Sequence, residues 1–210
     1  MKALRNALLA FILLPVCAQA QYSKFFTFSG YGGYTFNDRV RLSNVYHADV
    51  KGAFQWGLGV EYHPAWDNSV ELSYNRMSTH IPLYGPGGTH LNAANDKGSL
   101  DFILIGGNHY FGHAHDSKVK PYIGAGLGVG ILSGPNASST KFAWDTKLGV
   151  KVQASPIVAV KLQAYVQSIV STFGTNYWYG FPGVIFAVPN YVTSFQFGLS
   201  GGLCFTLKGK

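Results

Sequence analysis

Long apolar runs are missing from this chain once the first twenty residues are passed. No later segment offers the eighteen or so consecutive apolar residues that a membrane helix needs, so any crossing of a membrane has to be made by closed strands, which alone satisfy every backbone group in lipid. A helical inner-membrane protein is excluded. Charge is scarce too: Asp, Glu, Lys and Arg make up 12% of the 210 residues, against 15% aromatics and 26 glycines. That balance is poor in helix formers and suits strands, interfaces and tight interior packing, so no long helix is expected after residue 20. Cysteine is nearly absent, with only Cys17 and Cys204. Cys17 falls in the leader, which leaves Cys204 without an intramolecular partner. A basic cluster is also lacking. The formal charge of +7 falls to +5 once Lys2 and Arg5 are set aside, and the remaining cations are scattered, which excludes a nucleic-acid-binding stripe.

What is present begins with an export signal. Lys2 and Arg5 precede the apolar run Ala7 to Val16, and Ala18-Gln19-Ala20 supplies the small residues Ala18 and Ala20 for cleavage before Gln21. Cys17 is not read as a lipid acceptor, because Val16 stands where a lipobox requires a small residue. Residues 1–20 are therefore read as a signal peptide and 21–210 as one domain of about 190 residues.

From Phe26 to Leu207 the chain runs through about eight stretches of roughly ten residues that alternate apolar with polar or small side chains. The stretch 53–63 is the cleanest, with Phe54, Trp56, Leu58, Val60 and Tyr62 opposed to Gln55, Gly57, Gly59, Glu61 and His63. Weaker alternation is read over 25–34, and further strands over 69–77, 121–132, 142–153, 158–170 and 194–207. In 121–132 a stripe of Gly124, Gly126, Gly128 and Gly130 faces one way, leaving room for long side chains from the opposite wall. The strand over 99–111 is apolar on both faces. We place Phe102, Leu104 and Tyr110 outward with Asp101 and His109 inward, since a charge in hydrocarbon is the costlier error. Connections near 64–68, 112–119 and 154–157 are short and those near 37–52, 78–98, 133–141 and 172–191 mostly longer. This predicts an all-β, eight-stranded antiparallel up-and-down transmembrane barrel, with periplasmic turns and termini and four external loops.

Pro121-Tyr122-Ile123-Gly124-Ala125-Gly126-Leu127-Gly128 and the closing Ser200-Gly201-Gly202-Leu203-Cys204-Phe205-Thr206-Leu207 make the chain similar to the small eight-stranded outer-membrane barrels of the OmpA-like, OmpX-like, OmpW-like and opacity-type group. The resemblance covers about residues 22 to 208. It implies residence in the bacterial outer membrane, lipid and lipopolysaccharide as surroundings, and help during biogenesis from periplasmic chaperones and the barrel-assembly machinery. The match assigns Ser200, Gly202, Phe205 and Leu207 to the assembly signal. The chain departs from the pattern by continuing through Lys208-Gly209-Lys210, a tail too short for a peptidoglycan-binding domain.

Glu61, Glu71, Asp101, Asp145, Lys147, Lys151 and Lys161 are the charges placed inside the barrel. An eight-stranded interior is only wide enough for side chains, so these charges are expected to pair there. The competing readings are a narrow conduit or a catalytic site. Lipid A deacylases built on such barrels carry a membrane-facing His-x-Ser, whereas His115-Asp116-Ser117 falls here in a periplasmic turn. His113 and His115 lack a third metal ligand, and no cofactor is expected. Among the loops, 173–191 is unusually apolar, with Tyr177, Trp178, Tyr179, Phe181 and Phe186. It is read either as an aromatic belt or as a contact site or lid over a hydrophobic opening. Arg39, Arg41, Lys51, Arg76 and Lys97 lie near the same rim, facing lipopolysaccharide phosphates. The expected function is a non-enzymatic barrel displaying loops for envelope integrity, adhesion or another surface interaction. A narrow channel for small or hydrophobic solutes is the alternative, and a lipid-modifying enzyme a third.

Overall fold

Period-two alternation becomes pleated strands throughout. The computed structural model describes residues 25–41, 47–65, 67–92, 96–112, 117–134, 138–171, 177–180, 184–187 and 192–208. In chain order the strands are β1 (Phe25–Thr35), β2 (Asp38–Arg41), β3 (His47–Val50), β4 (Ala53–His63), β5 (Asn68–His80), β6 (Leu83–Tyr84), β7 (Lys97–Tyr110), β8 (Val119–Ser133), β9 (Ser138–Gln153), β10 (Val158–Ser171), β11 (Tyr177–Gly180), β12 (Val184–Ala187), β13 (Val192–Thr193) and β14 (Gln196–Lys208). Among the described residues the only helical element is a turn of 3-10 helix at Pro86–Gly88.

Eight of these strands, in the order β1-β4-β5-β7-β8-β9-β10-β14, form a closed antiparallel barrel, because β14 pairs with both β10 and β1. Closure leaves no wall edge unpaired in lipid. At the β1–β14 seam Phe25 opposes Lys208 and Thr35 opposes Gly198. The chain's first and last described strand ends therefore share the end of the barrel that carries the short connections 64–67, 111–118 and 154–157. The opposite end carries the long ones.

The barrel is inside-out relative to a soluble protein. Leu127, Leu148, Leu162, Phe205 and Leu207 are exposed on the outer wall, while Thr27, Glu61, Glu71, Lys161, Gln167 and Gln196 are buried within it. Such a belt is stable only against hydrocarbon, where each large apolar side chain returns its transfer free energy.

Strand β7 corrects the sequence reading. Phe102, Leu104 and Tyr110 point inward and are buried, at 0%, 1% and 2% exposure, while Ile103, Ile105 and His109 face outward, with Ile105 at 60%. Asp101 shares the outward phase. It is tolerated there because the Arg76 guanidinium lies 3.3 Å away and the Tyr74 hydroxyl donates to it at 2.6 Å, both from β5. The inward side chains of β7 have their own destination, an apolar cluster in the long-loop half of the lumen. It joins Met77, Leu100, Phe102, Leu104, Ala143 and Ile169 to Val40, Ala48, Val50, Ile81 and Leu83 from outside the barrel.

Those last five belong to a cap. Strand β3 pairs with β2 and β6 in a three-stranded sheet over the long-loop mouth. The Asp49 and Lys51 amides donate to the carbonyls of Pro82 and His80 at 3.0 Å. Asn92 acts as a pseudo-strand, accepting from the Leu83 amide at 2.8 Å and donating to the Ile81 carbonyl at 2.9 Å.

The glycines of β8 face inward, as expected, but neighbouring strands occupy much of their space. A Cβ on Gly126 would stand 2.6 Å from Asp145 Oδ1, and one on Gly149 of β9 would stand 2.7 Å from the Tyr122 ring. Tyr122 thus lies flat along the wall over the adjacent strand's glycine, an arrangement that a side chain there would prevent.

The facing pattern makes a depth-dependent prediction. Leu72→Arg places a cation among exposed apolar groups in the belt and should cost about 2–4 kcal/mol, whereas Ser78→Arg, outward but near the long-loop end, should cost about 0–1 kcal/mol. Urea titrations of the barrel refolded in vesicles, read by heat-modifiable gel migration, measure the difference.

Candidate functional site

The short-loop half of the lumen holds six charges on four strands. Lys161 of β10 contacts Glu61 of β4 at 2.5 Å and Glu71 of β5 at 3.8 Å. Lys147 of β9 reaches Glu71 at 2.7 Å and its strand-mate Asp145 at 3.5 Å. The Lys161 ammonium also sits 4.7 Å from the centroid of Tyr122 of β8, and that of Lys151 lies 5.5 Å from the ring of Tyr110 of β7. Three carboxylates thus face three ammonium groups across a space no wider than their side chains.

Neutral groups add further hydrogen bonds. Tyr110 and Ser69 donate to Glu61 at 2.6 and 3.3 Å, Asn108 donates to Glu71 at 3.0 Å, and His63 lies 3.3 Å from Glu61. Burying six charges incurs a large desolvation cost, which only near-complete pairing offsets. At the short-loop mouth Phe25 stacks on His63 at 4.2 Å, and His63, Tyr110 and Tyr122 follow in a chain of ring contacts. Above the charges, Gln167 donates to Gln55 and Gln196 at 2.8 and 2.9 Å, and Thr35 bonds Gln55 and Tyr165 at 3.1 and 2.8 Å. The apolar cluster closes the sequence of layers.

Of the charges singled out from sequence, the structure brings together Glu61, Glu71, Asp145, Lys147, Lys151 and Lys161. Asp101 is not among them, for the reason given with β7. His63, Tyr110, Tyr122, Asn108 and the glutamine layer went unremarked as partners, although the inward phase of their strands is the signal that places them.

Outside the lumen, Arg39 and Lys51 converge on Asp49 at 2.8 and 3.3 Å. Burial alone would raise the Asp49 carboxyl, but the two cations hold it below the usual carboxylate range. Arg76 is engaged by Asp101, Lys97 is exposed opposite His80, and Arg41 ends β2. In β14, Phe205 and Leu207 face outward, Ser200 faces the lumen, and Gly202 packs beneath Tyr31. Tyr177, Trp178 and Tyr179 lie in β11 and Phe186 in β12, which pair with each other. Phe181, Ala18, Ala20, His113 and His115 lie outside the described residues, and the Ser117 hydroxyl donates to the Val119 carbonyl at 2.9 Å.

The network predicts an asymmetric response to mutation. Lys161→Met strands Glu61 beside a half-compensated Glu71 and should destabilise the barrel by about 3–5 kcal/mol, while adding Glu61→Gln should recover more than half of that. Urea unfolding in vesicles followed by tryptophan fluorescence measures both. Equal losses in the single and double variants would mean that volume, not charge, is at stake.

The family described as surface antigen matches residues 100–178, which run from the inward turn of β7 to the ribbon β11. A comparison with curated protein sequences finds no match. Among solved structures, the chain is similar to the outer membrane protein OprG from Pseudomonas aeruginosa, with a TM-score of 0.62 and 14% identity over 91% of this chain and 99% of that one. Neisserial surface protein A gives 0.54 and 18% over 88% and 99%. The outer membrane protein AlkL, solved in lipid bilayers, gives 0.52 and 13% over 90% and 93%. Together with the closed, inside-out wall, these likenesses show that the chain has the fold of the small eight-stranded outer-membrane β-barrels.

Proposed function

We propose that the protein is a closed barrel of the bacterial outer membrane, non-enzymatic, that acts by holding its external elements at the cell surface for envelope integrity, adhesion or another surface interaction. The observation that carries this reading is the continuous filling of the lumen. An aromatic layer, a paired-charge layer, a glutamine layer and an apolar cluster follow one another, and a sheet covers the last. A conduit needs a wet path, and the inward side chains of Phe102, Lys161 and Gln167 are buried. An enzyme of the outer leaflet needs reactive groups that reach lipid, whereas Glu61, Glu71 and Asp145 are buried and held by lysines. The structures of OprG, AlkL and Neisserial surface protein A support the outer-membrane location. The short connections and both strand termini then face the periplasm, and the cap faces outward. Lipopolysaccharide phosphates beside Arg39, Lys51, Arg76 and Lys97 are the natural surroundings of that rim.

Two measurements test the reading. In planar bilayers the purified barrel should give no sustained conductance steps, and ohmic steps would replace display by transport. In intact Gram-negative cells a membrane-impermeant maleimide should label Thr89→Cys, in the exposed turn beside the cap, and should reach Ala154→Cys only after the outer membrane is opened. The reverse pattern would invert the orientation.

Assembly makes a separate demand. Phe205 and Leu207 sit on the outward face at the short-loop end of the closing strand, where the assembly machinery would meet them. Phe205→Asp should therefore abolish accumulation of folded protein in the outer membrane, while removal of Lys208 to Lys210 should leave it unchanged, as measured by fractionation and heat-modifiable migration.

A further inference from the structure

The apolar outer face does not end at one height around this barrel. On β5 and β7 the outward face turns polar above Tyr74 and Ile103, with Arg76, Ser78 and His80 opposite Asp101, Ser99 and Lys97. In the sector formed by β14, β1 and β4 it stays apolar up to the long-loop end of the strands. Tyr34, Phe36, Phe54, Phe195 and Phe197 are all exposed there, and Phe36 and Phe197 stack at 5.6 Å, with one carboxylate at the sector's edge, Asp38, which accepts from the Phe195 amide at 2.9 Å.

Strands β11 and β12 belong to the connection between β10 and β14, and β14 borders that apolar sector. Its composition departs from that of the cap. No Asp, Glu, Lys, Arg or His occurs anywhere between Lys161 and Lys208, whereas the cap side carries Asp38, Arg39, Asp49, Lys51, His80, His90, Asp96 and Lys97. The two strands read Tyr-Trp-Tyr-Gly and Val-Ile-Phe-Ala, and they pair with each other and with no other described strand. Alternate residues of a strand fall on opposite faces, so a ribbon of this sequence offers no face that prefers water. A free two-stranded ribbon is marginal in water, while tryptophan and tyrosine are the residues most at home where hydrocarbon meets headgroups.

We propose that the β11–β12 ribbon docks on the outer leaflet of the protein's own membrane, as a raised continuation of the lipid-facing belt. Its occupant is the boundary between lipid acyl chains and headgroups, and the elements left for other surface contacts are those of the cap. The proposal rests on the membrane-spanning reading, whose failure would show separately as failure to insert into vesicles.

The test uses the full barrel in phosphatidylcholine vesicles, with and without bromine on the acyl chains, comparing wild type with Trp178→Phe. The difference spectrum isolates Trp178 without altering the other tryptophans. Its emission should fall at least about two-fold in brominated lipid, as for an interfacial tryptophan, and should resist aqueous iodide. Phe186→Asp should weaken the bromine quenching while leaving heat-modifiable folding intact. Quenching by iodide alone would place the ribbon in water, and quenching by neither would place it against protein. Either result overturns the proposal.

Discussion

Every feature of this molecule follows from the need to satisfy backbone amides and carbonyls where no water is available. In hydrocarbon each unpaired group costs several kcal/mol. A chain without a long apolar run has one way to meet that demand, which is to close its strands on themselves. Closure imposes period two, and period two forces one face of each strand into lipid and the other into a lumen too narrow for bulk water. The charges of the lumen are a consequence of this geometry. Alternate residues have to go inside, and polar ones placed there can pair.

The lumen solves the resulting packing problem in two ways. Near the short loops it uses charge, with Lys161 and Lys147 set between Glu61, Glu71 and Asp145, and with Tyr110, Asn108 and Ser69 completing their hydrogen bonds. Near the long loops it uses apolar contact, and Phe102, Leu104 and Met77 meet a cap that contributes Val50 and Leu83. A polar network with missing partners would be worse than an apolar core, so the change of chemistry where side chains from outside the barrel become available is physically coherent. Ion pairing and apolar packing both fill space, and both tie one strand of the wall to another.

How far this was legible in the sequence depended on contrast between the faces. Strands β4, β9 and β10 read correctly because each opposes large apolar groups to charges or amides, and Glu61, Lys147 and Lys161 could be set inside without knowing their partners. On β7 that contrast vanishes: Leu100, Phe102 and Leu104 serve an interior core while Ile103 and Ile105 serve lipid, and both sets are apolar. The only Asp, Glu, Lys or Arg in the stretch 99–111, Asp101, then pointed the wrong way. Its tolerance outside depends on Arg76 and Tyr74 from the neighbouring strand, a cross-strand pairing that periodicity does not report. The cap was hidden for a similar reason, since β2, β3 and β6 are too short to show alternation and owe their order to Asn92 and to backbone bonds with the loop beyond β5.

The same contrast governs what the outside of the barrel can do. Where polar residues climb the outer wall, as on β5 and β7, the bilayer boundary is low, and the elements above it are hydrated and free to meet other molecules. Where apolar residues continue to the rim, as around Phe195 and Phe36, the leaflet beside it is the proposed place of the uncharged loop. On that proposal so uneven a collar would divide the external surface into a hydrated sector and a lipid-bound one. The cap, with Asp49 clamped between Arg39 and Lys51, sits over a packed apolar cluster that holds it in place from below, and its Asp38 accepts from the Phe195 amide. Rigidity under a surface lowers the entropy lost on binding, so a filled lumen beneath the cap suits the proposed display role: the side chains that pack the interior also hold the top still.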